Sequence, residues 1–390
     1  MPSPANLVVP CNWQDDLLQH LDPALVDTVY GKLAEDALGG GRPSCKLPGT
    51  DPQAAMAYIA RVRQRGIHFN YVLNSACTAN SEFTEAGYRA IADLVDWVAG
   101  SGADLVTVAS PFVADLLVRR HPNLGICTSK FAFVSSPQQA RFWQDAGAGQ
   151  ITVDPRITRS FRRLEAIRAA VDLQLVLLVN EACLLACPQV YYHANCDSHA
   201  SQQGHNTPYV SYSRLFCGRV FTEEPEQVVK ATFIRPEDVE RYERLGIDRF
   251  KLVGRVRPTA WIARAIKAYG ARRYDGNLAD LMGTFSTYGP GGDDGQPARL
   301  GPSDVSGQAE LERLRKSHVM RNQIAVDNRA LDGYLEHFEQ IDCESLSCDA
   351  CGYCAGLARR AVRYGPGQEG QSQNLRDAAQ WVLDGRFLER

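Results

Sequence analysis

Eight short apolar runs punctuate the first two thirds of the chain. They read "NLVVP" from Asn6, "VDTVYG" from Val26, "IHFNYVLN" from Ile67, "DLVTVA" from Asp104, "LGICTS" from Leu124, "QITVDP" from Gln150, "LQLVLLVN" from Leu173 and "RFKLVG" from Arg249. Six of the seven gaps between them carry helical spacing, as in "DPQAAMAYIARVRQR", "TEAGYRAIADLVDWVAG" and "RSFRRLEAIRAAV"; the first holds only "QDDLLQHL". Strands separated by helices cannot pair as hairpins, so each must cross over to a parallel neighbour. The pattern therefore predicts an α/β fold, a (βα)8 TIM-like barrel. An open doubly wound sheet competes with it, but that topology places a glycine-rich phosphate turn after its first strand, and "VVPCNWQ" has none.

The connection after the seventh strand breaks the rhythm. It runs from Asn180 to about Phe233, far beyond an ordinary strand-to-helix loop. "RPEDVERYERLG" then reads as a helix with proline in its first turn and a glycine stop, and "RPTAWIARAIKAYGARRY" closes the barrel. A stretch rich in Gly, Pro and Asp from Tyr288 to Gly307 reads as a mobile loop, with a helical tail expected from about Gln308. The expected organisation is a barrel over 1–270, with a cysteine-rich insertion at 180–235, and a helical extension over 271–390. Hydrophobic residues make up 45% of the chain, ample for such a core.

A net charge of −3 creates no field favouring nucleic acid, so no nucleic-acid partner is expected. The basic runs "RVRQR" at Arg61 and "SFRRLEAIR" at Ser160 have helical spacing and read as solvated faces. "MPSPANLVVPCNWQDD" shows neither a basic leader nor a long apolar segment, and no window approaches eighteen uninterrupted apolar residues. The expectation is a cytoplasmic protein without a membrane span.

Twelve cysteines need an explanation. In a reducing compartment they are ligands or catalytic groups more often than disulfides. Cys11, Cys45, Cys77 and Cys127 are scattered; Cys183, Cys187, Cys196 and Cys217 form a loose set; Cys343, Cys348, Cys351 and Cys354 form a tight one. The tight set, "CESLSCDACGYC", is spaced C-x4-C-x2-C-x2-C. Thiolates so close suit an iron–sulfur cluster, each iron taking one sulfur. Zinc, which usually pairs two C-x2-C knuckles across a longer spacer, is the alternative there, and free structural thiols are the third. In the central set, "CLLACP" lacks the third cysteine of a radical S-adenosylmethionine enzyme, since that position is Val190. Cys183, Cys187 and Cys217 still offer three thiolates on one loop, with Cys77 or Cys196 able to complete four; inert buried cysteines are the bland alternative.

Polar residues at strand ends are the candidates for chemistry, because a barrel gathers those ends on one rim. Glu181 follows the seventh strand directly. Asn74, Asn180 and Arg255 also sit at strand ends. Arg255 reads either as a clamp for an anionic substrate or as half of a rim ion pair. His193 and His199 read as proton carriers or metal ligands, or as hydrogen-bonding struts of a long loop. No G-x-S-x-G elbow and no H-E-x-x-H metalloprotease motif occurs.

"NEACLLACPQVYYHANCDSHAS" and "FIRPEDVERYERLGIDRFKLVGR" closely resemble the collagenase-like peptidases, family thirty-two among the peptidases of unknown mechanism. "FKLVGR" is similar to that family's "FKIEGR", with Leu252 and Val253 as departures. "FNYVLNSAC" at Phe69, "YDGNLADLM" at Tyr274, "VDNRALDGYLEHF" at Val326 and the final "CDACGYC" resemble one branch of it, so the likeness runs from about Asn6 to Ala361. The resemblance implies a barrel carrying a cysteine-bound 4Fe–4S cluster. It also implies oxygen-independent hydroxylation, as in the UbiU and UbiV pair and in RNA-base hydroxylating members, where prephenate is the implied oxygen source. Carried over, Cys183 and Cys187 match the branch motif, with Cys217 and Cys77 as companions. The four-cysteine C-terminal set is not general to the family and implies a second cluster or another metal.

The resulting expectation is an iron–sulfur oxidoreductase with one or two 4Fe–4S clusters that modifies a small organic molecule. Glu181, His193 and Arg255 are its catalytic candidates, and Asn74, Asn180 and Arg255 its substrate-binding candidates. The metal ligands are Cys77, Cys183, Cys187 and Cys217 centrally and Cys343, Cys348, Cys351 and Cys354 in the tail. An electron donor or a partner subunit would complete it. A peptidase-type hydrolase and a non-catalytic iron–sulfur subunit are the alternatives.

Overall fold

A computed structural model describes residues 6–204, 210–285 and 324–386. All eight apolar runs form strands: β1 (Leu7–Pro10), β2 (Val26–Gly31), β3 (His68–Leu73), β4 (Leu105–Val108), β5 (Gly125–Thr128), β6 (Gln150–Thr152), β7 (Gln174–Leu178) and β8 (Arg249–Lys251). Each pairs in parallel with the next, and β8 pairs back onto β1, so the sheet closes. The chain has the (βα)8 barrel that its alternating pattern predicts.

The crossovers begin where local chemistry favours a helix start. α1 (Pro52–Arg63) opens with proline after Asp51, whose carboxylate accepts from Ala54 N at 2.8 Å. α2 (Glu85–Gly100) is capped by Thr84 and buries Ile91, Ala92, Val95 and Val98, a helical stripe. α3 (Pro111–Arg120), α4 (Pro137–Asp145) and α5 (Phe161–Ala170) follow the next strands. The weak first gap becomes a single 3-10 segment, Asp15–His20. The two basic runs lie on outer helix faces, where Arg61 pairs with Asp15 at 2.7 Å and Arg168 with Asp248 at 3.3 Å.

The long connection after β7 contains α6 (Val190–His199), α7 (Tyr212–Glu223) and α8 (Pro225–Lys230). α9 (Val239–Arg244) precedes β8, and α10 (Thr259–Gly270) follows it. The described part of the extension holds more than helices. β9 (Ile324–Val326) and β10 (Val362–Tyr364) pair antiparallel around α11 (Glu336–Gln340), α12 (Cys348–Cys351) and α13 (Tyr353–Ala361), and α14 (Gln368–Leu383) ends it. α13 packs on α8 and α14 on α7. Ile324, Tyr334, Phe338 and Leu357 join the same apolar cluster as the barrel helices. The Gly/Pro/Asp stretch at 288–307 and the expected start of the tail at Gln308 lie outside the described residues. No helix among the described residues is long and apolar enough to cross a membrane.

The barrel interior departs from the usual stack of branched aliphatic side chains. Val8, Tyr30 and Val72 form a small cluster separate from the main core. Beside them, buried Thr107 donates to Asn70 Oδ1 at 2.8 Å, and buried Cys127 lies 3.9 Å from Thr152 Oγ1.

Candidate active site

The rim at the C-terminal ends of the strands is built around the segment after β7. Asn180 is wholly buried, and both ends of its amide are engaged: Oδ1 accepts from Val253 N at 2.7 Å and Nδ2 donates to Leu281 O at 3.0 Å. It ties β7 to β8 and to the turn beyond α10. Asn74 is engaged likewise, accepting from Gly41 N at 3.1 Å and donating to Ser129 Oγ at 3.2 Å. Both asparagines of the expected substrate set therefore brace the rim.

Glu181 is buried and ion-paired with Lys130, which follows β5. Burial alone would raise its pKa, but Lys130, Arg42 and His193 outweigh that and hold the carboxyl below its ordinary range. Ala182 then adopts a left-handed conformation, φ +57°, which turns the chain toward Cys183.

His193 lies on α6 with its Nε2 3.5 Å from Asp197 Oδ2, one turn on. Burial pushes its pKa down to about 4; Asp197 pulls upward, and Arg214, Arg42 and Lys130 push further down. At neutral pH the imidazole is uncharged. Arg42 reaches the same carboxylate, with Nη1 3.8 Å from Asp197 Oδ2. The loop that carries Arg42 reaches α6 only because of glycine. Gly39 has φ +74°, and a Cβ there would stand 2.2 Å from Ser198 O.

Arg255 follows Gly254, whose φ of +139° and approach to Trp261 exclude a side chain. The guanidinium is buried 6.0 Å from the centroid of the Tyr30 ring. Among the described residues its Nη1 has no hydrogen-bond partner. Burial pushes its pKa down to about 10, against Tyr30. A buried cation with an open donor suits an incoming carboxylate better than a finished structural pair.

Three of the expected central ligands are linked by charge effects. Cys183 senses the charge of Cys217, and Cys217 that of Cys187. Burial pushes Cys183 up to about 12 and Cys217 up to about 11, so without a metal both stay protonated. Cys77 has hydrogen-bond partners of its own. Its Sγ accepts from Ala79 N at 3.4 Å, and its carbonyl accepts from Gln202 Nε2 at 3.1 Å, beyond the end of α6. Cys196 interacts with Tyr192, one turn earlier on α6. In the extension Cys343 and Cys354 each sense the charge of Cys348 and Cys351, and His337 Nε2 lies 3.4 Å from Cys351 Sγ. Among the described residues no three His, Cys, Asp or Glu side chains stand in the geometry of a single bound ion. A cluster takes one sulfur per iron and spreads its ligands wider than one ion does. The partly buried thiols of Cys183, Cys187 and Cys217 offer sulfur donors of the kind such a cluster takes.

The candidate set drawn from the sequence lacks Arg42 and Lys130. Lys130 sits two residues beyond β5 and was visible as a polar strand-end residue. Arg42 sits eleven residues beyond the end of β2, and only the folded loop brings it to the rim.

Fold and rim together define a parallel α/β barrel whose mouth gathers thiols and buried cations. The family model described as peptidase family U32 matches residues 57–276. An uncharacterised protease of Methanocaldococcus jannaschii is 32% identical over 327 residues, covering 84% of this chain and 86% of that protein. The chain belongs to peptidase family U32. Among solved structures, the U32 peptidase Mk0906 superposes with a TM-score of 0.50 at 20% identity, covering 65% of this chain and 94% of that one, a likeness of fold.

Proposed function

We propose that this family member is an iron–sulfur enzyme that modifies a small anionic organic molecule at the barrel mouth, by redox chemistry of the oxygen-independent hydroxylase kind. What supports the reading is that Cys183, Cys187 and Cys217 share one insertion and are linked by charge effects, Cys183 with Glu181 and Cys217, and Cys217 with Cys187. These three would hold a 4Fe–4S cluster, with Cys77 or Cys196 as candidates for a fourth ligand. When bound, such a cluster supplies one-electron redox capacity and a Lewis-acidic iron. The chain's own residues do the rest. Arg255 receives a substrate carboxylate through its open donor. Lys130 keeps Glu181 ionised, so that carboxylate accepts hydrogen bonds and orients the substrate. His193, neutral at pH 7, has one ring nitrogen able to accept a proton.

Peptide hydrolysis is the second reading, favoured by the names of the family and of the archaeal relative and by the His193–Asp197 pair. Against it, burial raises the pKa of the Cys183 and Cys217 thiols and makes those two poor nucleophiles.

The test is anaerobic purification with iron and acid-labile sulfide counts. Cluster-loaded and air-bleached protein are then assayed on unfolded polypeptides and on aromatic or carboxylate metabolites. The reading expects iron with sulfide, and activity on the small molecules that bleaching abolishes. Activity of the lone chain separates an enzyme from a subunit that needs a partner or an electron donor. Peptide cleavage that survives bleaching and is lost in Glu181→Gln or His193→Gln would establish the hydrolase instead.

A further inference from the structure

The barrel interior holds a basic group that the reading above does not use. Lys251 is buried on β8. Its Nζ stands 4.1 Å from the centroid of the Tyr30 ring on β2, and it exchanges charge effects with Cys127 on β5. A β8 side chain that lies over the Tyr30 ring, which itself clusters with Val8 and Val72 apart from the main core, occupies the inside of the barrel. The Tyr30 ring is fixed in place, because its hydroxyl donates to Leu252 O at 2.8 Å. The wall around Cys127 is neutral, made by Asn70, Thr107 and Thr152.

What sets this amine apart is its company. Lys32 pairs with Asp36 at 3.0 Å, and Lys130 pairs with Glu181. Among the described residues no carboxylate pairs with Lys251, and the charged neighbours that act on it beside Cys127 are two cations, Arg255 and Lys130. The Tyr30 face is the group that lies against its ammonium form among the described residues. Burial, with those two cations, pushes its pKa down to about 8, against the opposing pull of Cys127. A desolvated lysine beside other cations, and without a carboxylate, is the arrangement that turns a lysine from a point charge into a nucleophile.

We propose that Lys251 forms a Schiff base with the carbonyl of a 2-oxo acid whose carboxylate is received by Arg255. In that step Nζ adds to the carbonyl carbon. The amine gives up both of its hydrogens, the carbonyl oxygen leaves with them as water, and the new bond is C=N. No electrons are gained or lost, and no co-reactant is required. The inference shares with the proposed function only the anion-receiving role of Arg255; it needs no iron.

The test is reductive trapping on the full chain. Pyruvate and 2-oxoglutarate serve as probes, cyanoborohydride as the reductant, and peptide mass mapping as the readout, on anaerobically prepared and air-bleached protein in parallel. The expected result is a reduced adduct on the peptide containing Lys251 in both preparations, absent in Lys251→Arg and in Lys251→Met. In Arg255→Met the half-saturating probe concentration should rise about tenfold, the order set by losing one charged hydrogen bond. Thermal melts of the variants check folding, and mapping of the unmodified sequence stands even if a variant fails to fold. Lack of any adduct at Lys251 in a map that covers it overturns the proposal. So does labelling spread over the surface lysines as in denatured protein. Iron content is counted separately, so failure of the iron–sulfur reading and failure of this one are distinguishable.

Discussion

Cys183 and Thr232 hold each other twice: Cys183 N donates to Thr232 Oγ1 at 3.1 Å, and Thr232 N donates to Cys183 O at 2.8 Å. These two residues stand at opposite ends of the insertion. The position of the first mouth thiol is therefore set by the chain's return to the barrel forty-nine residues later.

Thr232→Val keeps the shape and removes the hydroxyl. The buried amide of Cys183 then lacks its acceptor, a cost of about 1–3 kcal/mol. Urea unfolding should show that loss. Iron bound per chain should fall, while Thr232→Ser retains most of it. Full iron in Thr232→Val would show that the clasp does not position Cys183.

Lys130→Met leaves Glu181 charged and buried without its partner, and a loss of about 3–5 kcal/mol is expected. The pH dependence follows from the depressed native pKa of Glu181. Its contribution is complete above the ordinary carboxylate pKa of about 4.3 and is lost as pH falls through the native value. Melting temperatures of the unmodified chain and of Glu181→Gln should therefore converge on acidification. A constant gap between pH 7 and pH 3 would contradict this.

His193 titrates with the same sign for a different reason. Its folded pKa of about 4 lies below the unfolded value of about 6.5, so the unfolded chain takes up the proton first. Stability should decline from about pH 6.5 downward and level off near pH 4, by on the order of 1–3 kcal/mol after allowance for the partial exposure of the ring. Denaturant midpoints measured across that range should flatten in His193→Gln. An unchanged slope would place the acid sensitivity elsewhere.

The two thiol groups should be separable. Cys183→Ala with Cys187→Ala should remove one iron-dependent spectral component, and Cys351→Ala with Cys354→Ala should remove another, or one equivalent of zinc. Loss of all metal from either pair would point to one shared site.

The barrel was legible in the amino-acid sequence because its signals are local. A run such as "LQLVLLVN" needs burial on both faces, and "TEAGYRAIADLVDWVAG" places its apolar residues on one helical stripe. Each property is decided within a dozen residues, and the order of such elements leaves few closed arrangements. The rim positions of Glu181 and Arg255 followed from the same logic, since strand ends share one face.

What those positions do was decided only by closure. Asn74 and Asn180 stood where substrate groups stand, yet the folded chain uses their amides to lash loops together, because partners such as Gly41 and Leu281 arrive from distant segments. The two strands of the extension were invisible, because "IAV" and "VRY" are too short to declare themselves without each other. Lys251 looked like one residue of a familiar string. Its meaning came from β2, which brings the Tyr30 ring to it. Periodicity along the chain determines which faces are buried, but the neighbours of a buried charge, and so its chemistry, exist only once the sheet has closed.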